Sequence, residues 1–223
     1  MTSATKPSVR SALREDVGNR ISRLQEGYLD RRGPAAQAAA QGDLAQLRAA
    51  DPADPLRHPA AWPIVQDGSS ELLSPVKGPD EPSAAEAARH CALVLYALHQ
   101  QGKDQPAHRP KVRFAQAVRQ LGSKRAQGGE EADPSVRGRF DQAMLAATLA
   151  GRIEHLKRLV RLMRGEDLGF DYVRLAVDLY DMATPDGARR VRLEWARDLY
   201  RRADTDENPT NTASPTDPEG DLS

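Results

Sequence analysis

The sequence has 223 residues, with 32 basic and 32 acidic side chains, one cysteine and aromatics at 4%. So few aromatics argue against a sheet-rich fold, one cysteine excludes an intramolecular disulfide framework, and no apolar run approaches the roughly 20 residues that span a bilayer. The formal net charge of zero hides a segregation: residues 109–164 hold thirteen basic and five acidic side chains, while residues 204–223 hold six acidic and no basic ones. Because local field steers a ligand, a neutral total is compatible with a polyanion-binding face.

In chain order, residues 1–9 are polar and expected to fray. Over residues 13–32, Leu13, Val17, Ile21, Leu24 and Tyr28 recur at helical spacing, and Gly33-Pro34 breaks that helix. A second helix is expected over 35–49, with Leu44 and Leu47 inward and Arg48 near its C-terminal end, where a cation suits the helix dipole. Residues 51–63 contain four prolines and are too broken for a long helix; Trp62 is expected to anchor them to the core. Residues 66–82 read as a polar loop. Ser83 and Glu86 fit a capping box that opens a helix to residue 100, with Ala88, Cys91, Leu95 and Leu98 as its buried stripe. Cys91 sits among apolar neighbours and reads as an inert buried thiol.

A short helix is expected over 112–121 with Gly122 as its C-cap. Asp133-Pro134 opens the next helix, which carries Val136, Phe140, Ala143 and Met144 on one side. Another begins at Gly151 and stops at Gly165. Asp171 caps a helix through Met182, Asp186-Gly187 turns the chain, and a last helix from Ala188 to Ala203 buries Val191, Trp195 and Leu199. The expected architecture is all-α: a two-lobed helical bundle with lobes over 10–122 and 133–203. An acidic tail over 204–223 has the composition of a disordered segment. The N-terminus shows no apolar leader, so a cytoplasmic location is expected.

On a helical wheel with Arg152 at zero, Ile153, Leu156, Leu159, Val160 and Met163 cover an arc from roughly 340° to 100°. Lys157, Arg158, Arg161 and Arg164 cover roughly 120° to 240°, Arg152 sits at the edge and Leu162 departs from the pattern. One face packs and the other is cationic. Guanidinium groups on a rigid surface can track phosphates without reading bases. The competing reading is a solvated face paired with local acids, and the excess of twenty-six Arg over six Lys also fits a codon bias. Yet residues 152–164 contain only Glu154 as an internal acid, too little to neutralise the ridge.

Other chemistries find little support. His58, His90, His99, His108 and His155 show no zinc-ligand spacing, and neither a metal nor a cofactor is expected. No phosphate-loop, dinucleotide or nucleophile-elbow motif occurs. Asp171, Asp178 and Asp181 could suggest paired carboxylates of a nuclease, but Asp171 reads as a cap and the others as solvated or paired with arginines of the last helix. Trp62 and Trp195 read as core anchors rather than base-stacking platforms.

The segments VRGRFDQAML, HLKRLVRLMR, FDYVRLAVDLYDM and VRLEWARDLY resemble the signature of the small subunit of the type I-E CRISPR surveillance complex, Cascade (the CasB family). LAQLRAADPADPLRHPAAW resembles that family's N-terminal half more loosely. The resemblance implies an all-helical, non-enzymatic subunit with guide RNA and target DNA as partners, which holds the displaced non-target strand of the R-loop. It also implies contacts with the backbone and large subunits and with a second copy arranged head-to-tail, and no membrane association. The cations carried over are Arg48, Arg137, Arg139, Lys157, Arg158, Arg161 and Arg164, with Arg109, Lys111 and Arg113 on a less specific match. Arg139 has an alternative as an internal partner of Asp141 or of Glu130 and Glu131. For the chain as a whole, the alternative is a helical scaffold or adaptor that binds acidic protein partners.

Overall fold

The computed structural model describes residues 8–74 and 81–200; the expected acidic tail lies outside the described residues. Among the described residues there are nine α-helices, three short 3-10 turns and no strand. The helices are α1 (Val9–Tyr28), α2 (Pro34–Ala49), α3 (Trp62–Gln66), α4 (Ala84–Gln100), α5 (Phe114–Arg125), α6 (Pro134–Leu145), α7 (Leu149–Gly165), α8 (Tyr172–Asp181) and α9 (Pro185–Tyr200). The expected all-α bundle is therefore what the chain forms.

Most helix starts follow from side chains that satisfy the free N–H groups of a first turn. Ser8 and Ser11 form a capping box on α1, and Ser83 and Glu86 form the expected one on α4. Asp133 caps α6, with Pro134 in its first turn, and Asp171 caps α8 by accepting from the Arg174 amide.

Helix α4 is the centre of the molecule. Thirteen of its 17 residues are buried, and α1, α2, α7 and α8 pack around it. A helix covered on every side belongs inside a bundle. Around it, α1 packs on α2 and α8, α5 on α6, α7 and α9, α6 on α7, and α8 on α9. One continuous apolar cluster runs from Leu13 to Trp195, with each fully buried Leu, Ile or Phe contributing about 2 kcal/mol. Its aromatic part stacks Phe170 on Tyr172 at 4.2 Å between centroids and sets Phe114 against Trp195 at 5.0 Å.

Most charged groups drawn into the core are partnered, although Arg89 Nε and the Tyr96 hydroxyl are buried without a hydrogen-bond partner among the described residues. Arg89, fully buried on α4, lies 3.6 Å from Asp16, which Arg20 also holds at 2.9 Å. Arg89 further donates to Ser69 and Gln66, tying the segment after α3 to α1 and α4. Cys91 is buried and burial pushes its thiol far above the usual range, as expected of an inert thiol.

Several local expectations are corrected. Trp62 is 40% exposed; successive 3-10 turns at Pro55–Arg57 and Pro59–Ala61 turn its ring outward, and its Nε1 donates to the Pro55 carbonyl at 2.9 Å. Gly122 does not end α5 but lies buried within it, and its carbonyl accepts from the Asp133 amide at 3.0 Å. Asp186 and Gly187 are not a free turn but the first turn of α9, which starts at Pro185.

Gly187 shows why a glycine is required there. A Cβ on it would lie 2.0 Å from the Asp181 carbonyl oxygen, at the point where the end of α8 meets the start of α9. Backbone cannot yield as a flexible side-chain tip can, so Gly187→Ala is expected to destabilise the protein by about 3 kcal/mol or more. Chemical denaturation will show a lowered midpoint; an unchanged midpoint would mean that the α8–α9 junction is not packed this closely.

Candidate nucleic-acid interface

Helix α7 starts where Thr148 accepts from the Gly151 amide, two residues earlier than the glycine suggested, and ends at Gly165. Ile153, Leu156, Leu159, Val160 and Met163 are buried, as the wheel required. Opposite them, Arg158 and Arg161 are exposed, and neither makes a hydrogen bond or ion pair among the described residues. Lys157 is half-buried and 3.6 Å from Glu154 one turn earlier.

The two ends of α7 use their arginines differently. Arg164 donates to the Leu98 carbonyl at 3.3 Å and to Gln101 Oε1 at 2.9 Å, near the C-terminus of α4. Arg152 is 5% exposed and donates to the Ala143 and Ala146 carbonyls at 3.2 and 2.8 Å, covering the C-terminus of α6. Carbonyls at a helix end lack intrahelical partners, and a guanidinium satisfies them while opposing the negative end of the dipole.

Arg109 and Lys111 project from a loop that is pinned on both sides. Phe170 donates to the Ala107 carbonyl at 3.1 Å and accepts from the Arg109 amide at 3.0 Å; the Asp171 amide donates to the Val112 carbonyl at 2.7 Å. Gln25 holds the same loop through the His108 amide at 3.0 Å. Lys111 has a φ of 72°, and its amide donates to Asp171. Both side chains are exposed and make no ion pair among the described residues. Arg48 is half-buried in the last turn of α2 and likewise has no ion-pair partner there.

The remaining expected cations make internal contacts. Arg113 lies 3.1 Å from the buried carboxylate of Asp198. Arg137 stands over the Tyr200 ring at 4.8 Å and donates to its hydroxyl. Arg139 donates to the Ser135 carbonyl at 2.8 Å, in place of the acids considered for it. Thus Arg158 and Arg161 share one helix face and Arg109 and Lys111 share one loop, while Arg113, Arg137 and Arg164 contact other elements of the fold and Arg139 contacts its own helix. Sequence reasoning passed over α9, where Arg189, Arg192 and Arg197 make no ion pair among the described residues. The signal was present in its run of arginines, but the helix read as a core element.

The carboxylates considered for a nuclease are spent on structure. Asp171 caps α8. Asp178 is buried and accepts from Trp195 Nε1 at 2.9 Å and from Arg174 at 2.8 Å; burial raises its pKa, and Arg174 only partly opposes this. Asp181 holds Arg10 at 2.6 Å and Arg190 at 2.7 Å. No group of three His, Cys, Asp or Glu among the described residues is placed to hold a metal ion. No described helix is long and apolar enough to cross a membrane.

Fold and surface together describe an all-helical protein with several exposed arginines that have no ion-pair partner among the described residues. A family model described as CRISPR-associated protein Cse2 matches residues 43–200. A crystal structure of CasB from Thermobifida fusca is 30% identical, covers 84% of this chain and 97% of its own, and superposes with a TM-score of 0.66. No curated protein matches the sequence. The chain belongs to the CRISPR-associated Cse2 (CasB) family, the Cascade small-subunit family that its motifs resemble.

Proposed function

We propose that this protein is a non-catalytic, cytoplasmic subunit of the type I-E surveillance complex that steadies the R-loop by holding the displaced non-target strand and touching the guide–target region. Arg158 and Arg161 are the central contacts, with Arg109, Lys111, Arg48 and the half-buried Lys157 as further ones. The observation that carries this reading is the pair of unpaired guanidiniums on one face of a firmly packed helix, whose only internal acid, Glu154, lies beside Lys157. Exchanging a DNA duplex for an RNA–DNA heteroduplex is nearly balanced, so a few phosphate contacts suffice to tip it. A subunit that serves every guide cannot read bases, and backbone contacts meet that requirement.

Contacts with the backbone and large subunits and with a second copy belong to the same proposal. Exposed apolar side chains such as Leu56, Trp62, Leu145 and Leu193 supply candidate surfaces for them. The test is single-stranded DNA binding by the purified chain, for two unrelated sequences, between 50 and 200 mM salt (roughly the range over which phosphate contacts lose most affinity). Equal affinities that fall steeply with salt are expected. Binding that ignores salt or prefers one sequence strongly would refute the reading, and association with the complex that survives digestion of its RNA and DNA would favour a protein adaptor instead.

A further inference from the structure

The unpaired surface cations and the acids that follow α9 in the chain are complementary. Arg158 and Arg161 on α7 and Arg197 on α9 are exposed and have no ion pair among the described residues. Residues 204–223 carry Asp204, Asp206, Glu207, Asp217, Glu219 and Asp221 and no basic side chain. Arg201 and Arg202 stand between the two groups; if each takes one of the six acids, four carboxylates remain.

The fold delivers that segment beside the ridge. Helices α6 and α7 are joined by residues 146–148 and run antiparallel, in a register marked by the bond from Arg152 of α7 to the Ala143 carbonyl of α6. Counting equal numbers of turns away from that bond sets Arg137 level with Lys157 and Arg158, with the two helix axes about 8–10 Å apart. Arg161 lies one turn further. Arg137 in turn stands over the ring of Tyr200, the last described residue, at 4.8 Å. The chain therefore leaves α9 beside the α6–α7 hairpin, at the height of the ridge. Asp217 lies seventeen residues beyond Tyr200. A trans chain spans at most about 3.3–3.6 Å per residue, so the acids reach Arg158 and Arg161 well short of full extension.

We propose that residues 204–223 fold back on the cationic face of α7 in their own chain, and that a nucleic-acid strand must displace them to bind there. This assignment rests on the nucleic-acid reading above and adds a regulation of the same site. Carboxylates and phosphates are ligands for the same guanidiniums, so the two occupants exclude each other. Tethering gives the tail an effective concentration in the millimolar range, so exposed ion pairs too weak to hold a separate peptide suffice. A strand presented within an assembled complex has a comparable local concentration and displaces the tail, whereas a stray strand in solution does not.

The test replaces the six acids together by their amides in the full chain: D204N, D206N, E207Q, D217N, E219Q and D221N. At about 50 mM salt this variant should bind single-stranded DNA about fivefold to tenfold more tightly than the wild type, and at about 200 mM the gap should shrink below about twofold as the tail's ion pairs are screened. Its salt slope should also be the steeper one, because in the wild type a bound strand displaces carboxylates in place of some counterions. Combined with R158E and R161E, the same neutralisation should gain less than about twofold. An equal gain in both backgrounds would show that the tail repels DNA through net charge alone, and no gain in either would show that it does not cover the ridge; each result overturns the proposal. A readout without DNA is carbodiimide coupling, which joins a carboxylate directly to a lysine amine. Links from the tail acids to Lys157 within one chain are expected; none, or links between chains only, would overturn the fold-back. If neither the wild type nor the neutral-tail variant binds DNA, the nucleic-acid reading falls, while links to Lys157 within one chain would still establish the fold-back.

Discussion

Reversing Arg158 and Arg161 together to glutamate is expected to weaken single-stranded DNA binding by about a hundredfold at moderate salt and to leave the unfolding midpoint almost unchanged. Each guanidinium on a phosphate is worth about 1.5 kcal/mol as a charge-assisted hydrogen bond, and two of them give about two orders of magnitude. Reversal adds repulsion to that loss. The slope of log affinity against log salt should fall by about two, because two fewer phosphates are neutralised. Stability is untouched because both side chains stand in solvent with no partner among the described residues, and such positions usually move stability by less than about 0.5 kcal/mol. Titration of fluorescent DNA alongside thermal unfolding checks both halves. A double variant that binds DNA and supports R-loops as well as the wild type would remove α7 from the interface.

Acidification between pH 6.5 and pH 5 is expected to destabilise the protein, mainly through His99. This side chain is buried on α4, with Nδ1 2.9 Å from the Tyr172 hydroxyl. Burial, followed by the charges of Lys103, Arg164 and Arg109, holds its pKa down to about 3. The folded pKa lies below the unfolded one, so the unfolded chain binds the extra proton. The stabilisation is complete above the unfolded value of about 6.5 and is lost as pH falls from there toward 3, by about 1.4 kcal/mol per pH unit. His90 and His108 are also lowered, first by burial, and act in the same direction. His108 Nδ1 accepts from the Tyr172 amide, which a second ring proton would prevent. Asp178 acts oppositely, since its raised pKa adds stability as it protonates. Urea midpoints at pH 7, 6 and 5 should decline, and His99→Gln should flatten the decline by about one proton. A flat wild-type profile over that interval would contradict the burial of these rings.

Local signals carried the helices far better than they carried tertiary roles. The Ser83/Glu86 box and the Asp133 and Asp171 caps were readable because a cap is a contact between residues two or three apart. Gly122 and Gly187 were misread as breaks because glycine within a helix looks the same in sequence. What keeps them there is a neighbour from another element: the side chain of Ala132 for Gly122 and the Asp181 carbonyl for Gly187. Trp62 was placed inside on hydrophobicity alone, and nothing in its neighbourhood announces an indole that bonds Pro55 and faces outward. The α7 wheel did foretell the grading of exposure, from buried Met163 through half-buried Arg164 and Lys157 to exposed Arg161 and Arg158. It also placed Arg152 inside the apolar arc, the sign of a buried guanidinium that the edge assignment overlooked. Which arginines spend themselves on carbonyls of α4 and α6 was unreadable, because those carbonyls lie on other helices.

The two arginines that clamp the ends of α7 have a mechanical consequence. A beam fastened at both ends resists bending at mid-span, so Arg158 and Arg161 ride on a stretch of backbone that has no reason to shift when a strand arrives. The disorder surrendered on capture then belongs to two flexible stems and to the strand itself. If α7 takes a strand as proposed, grip and release at Arg158 and Arg161 need no rearrangement of the helix that carries them.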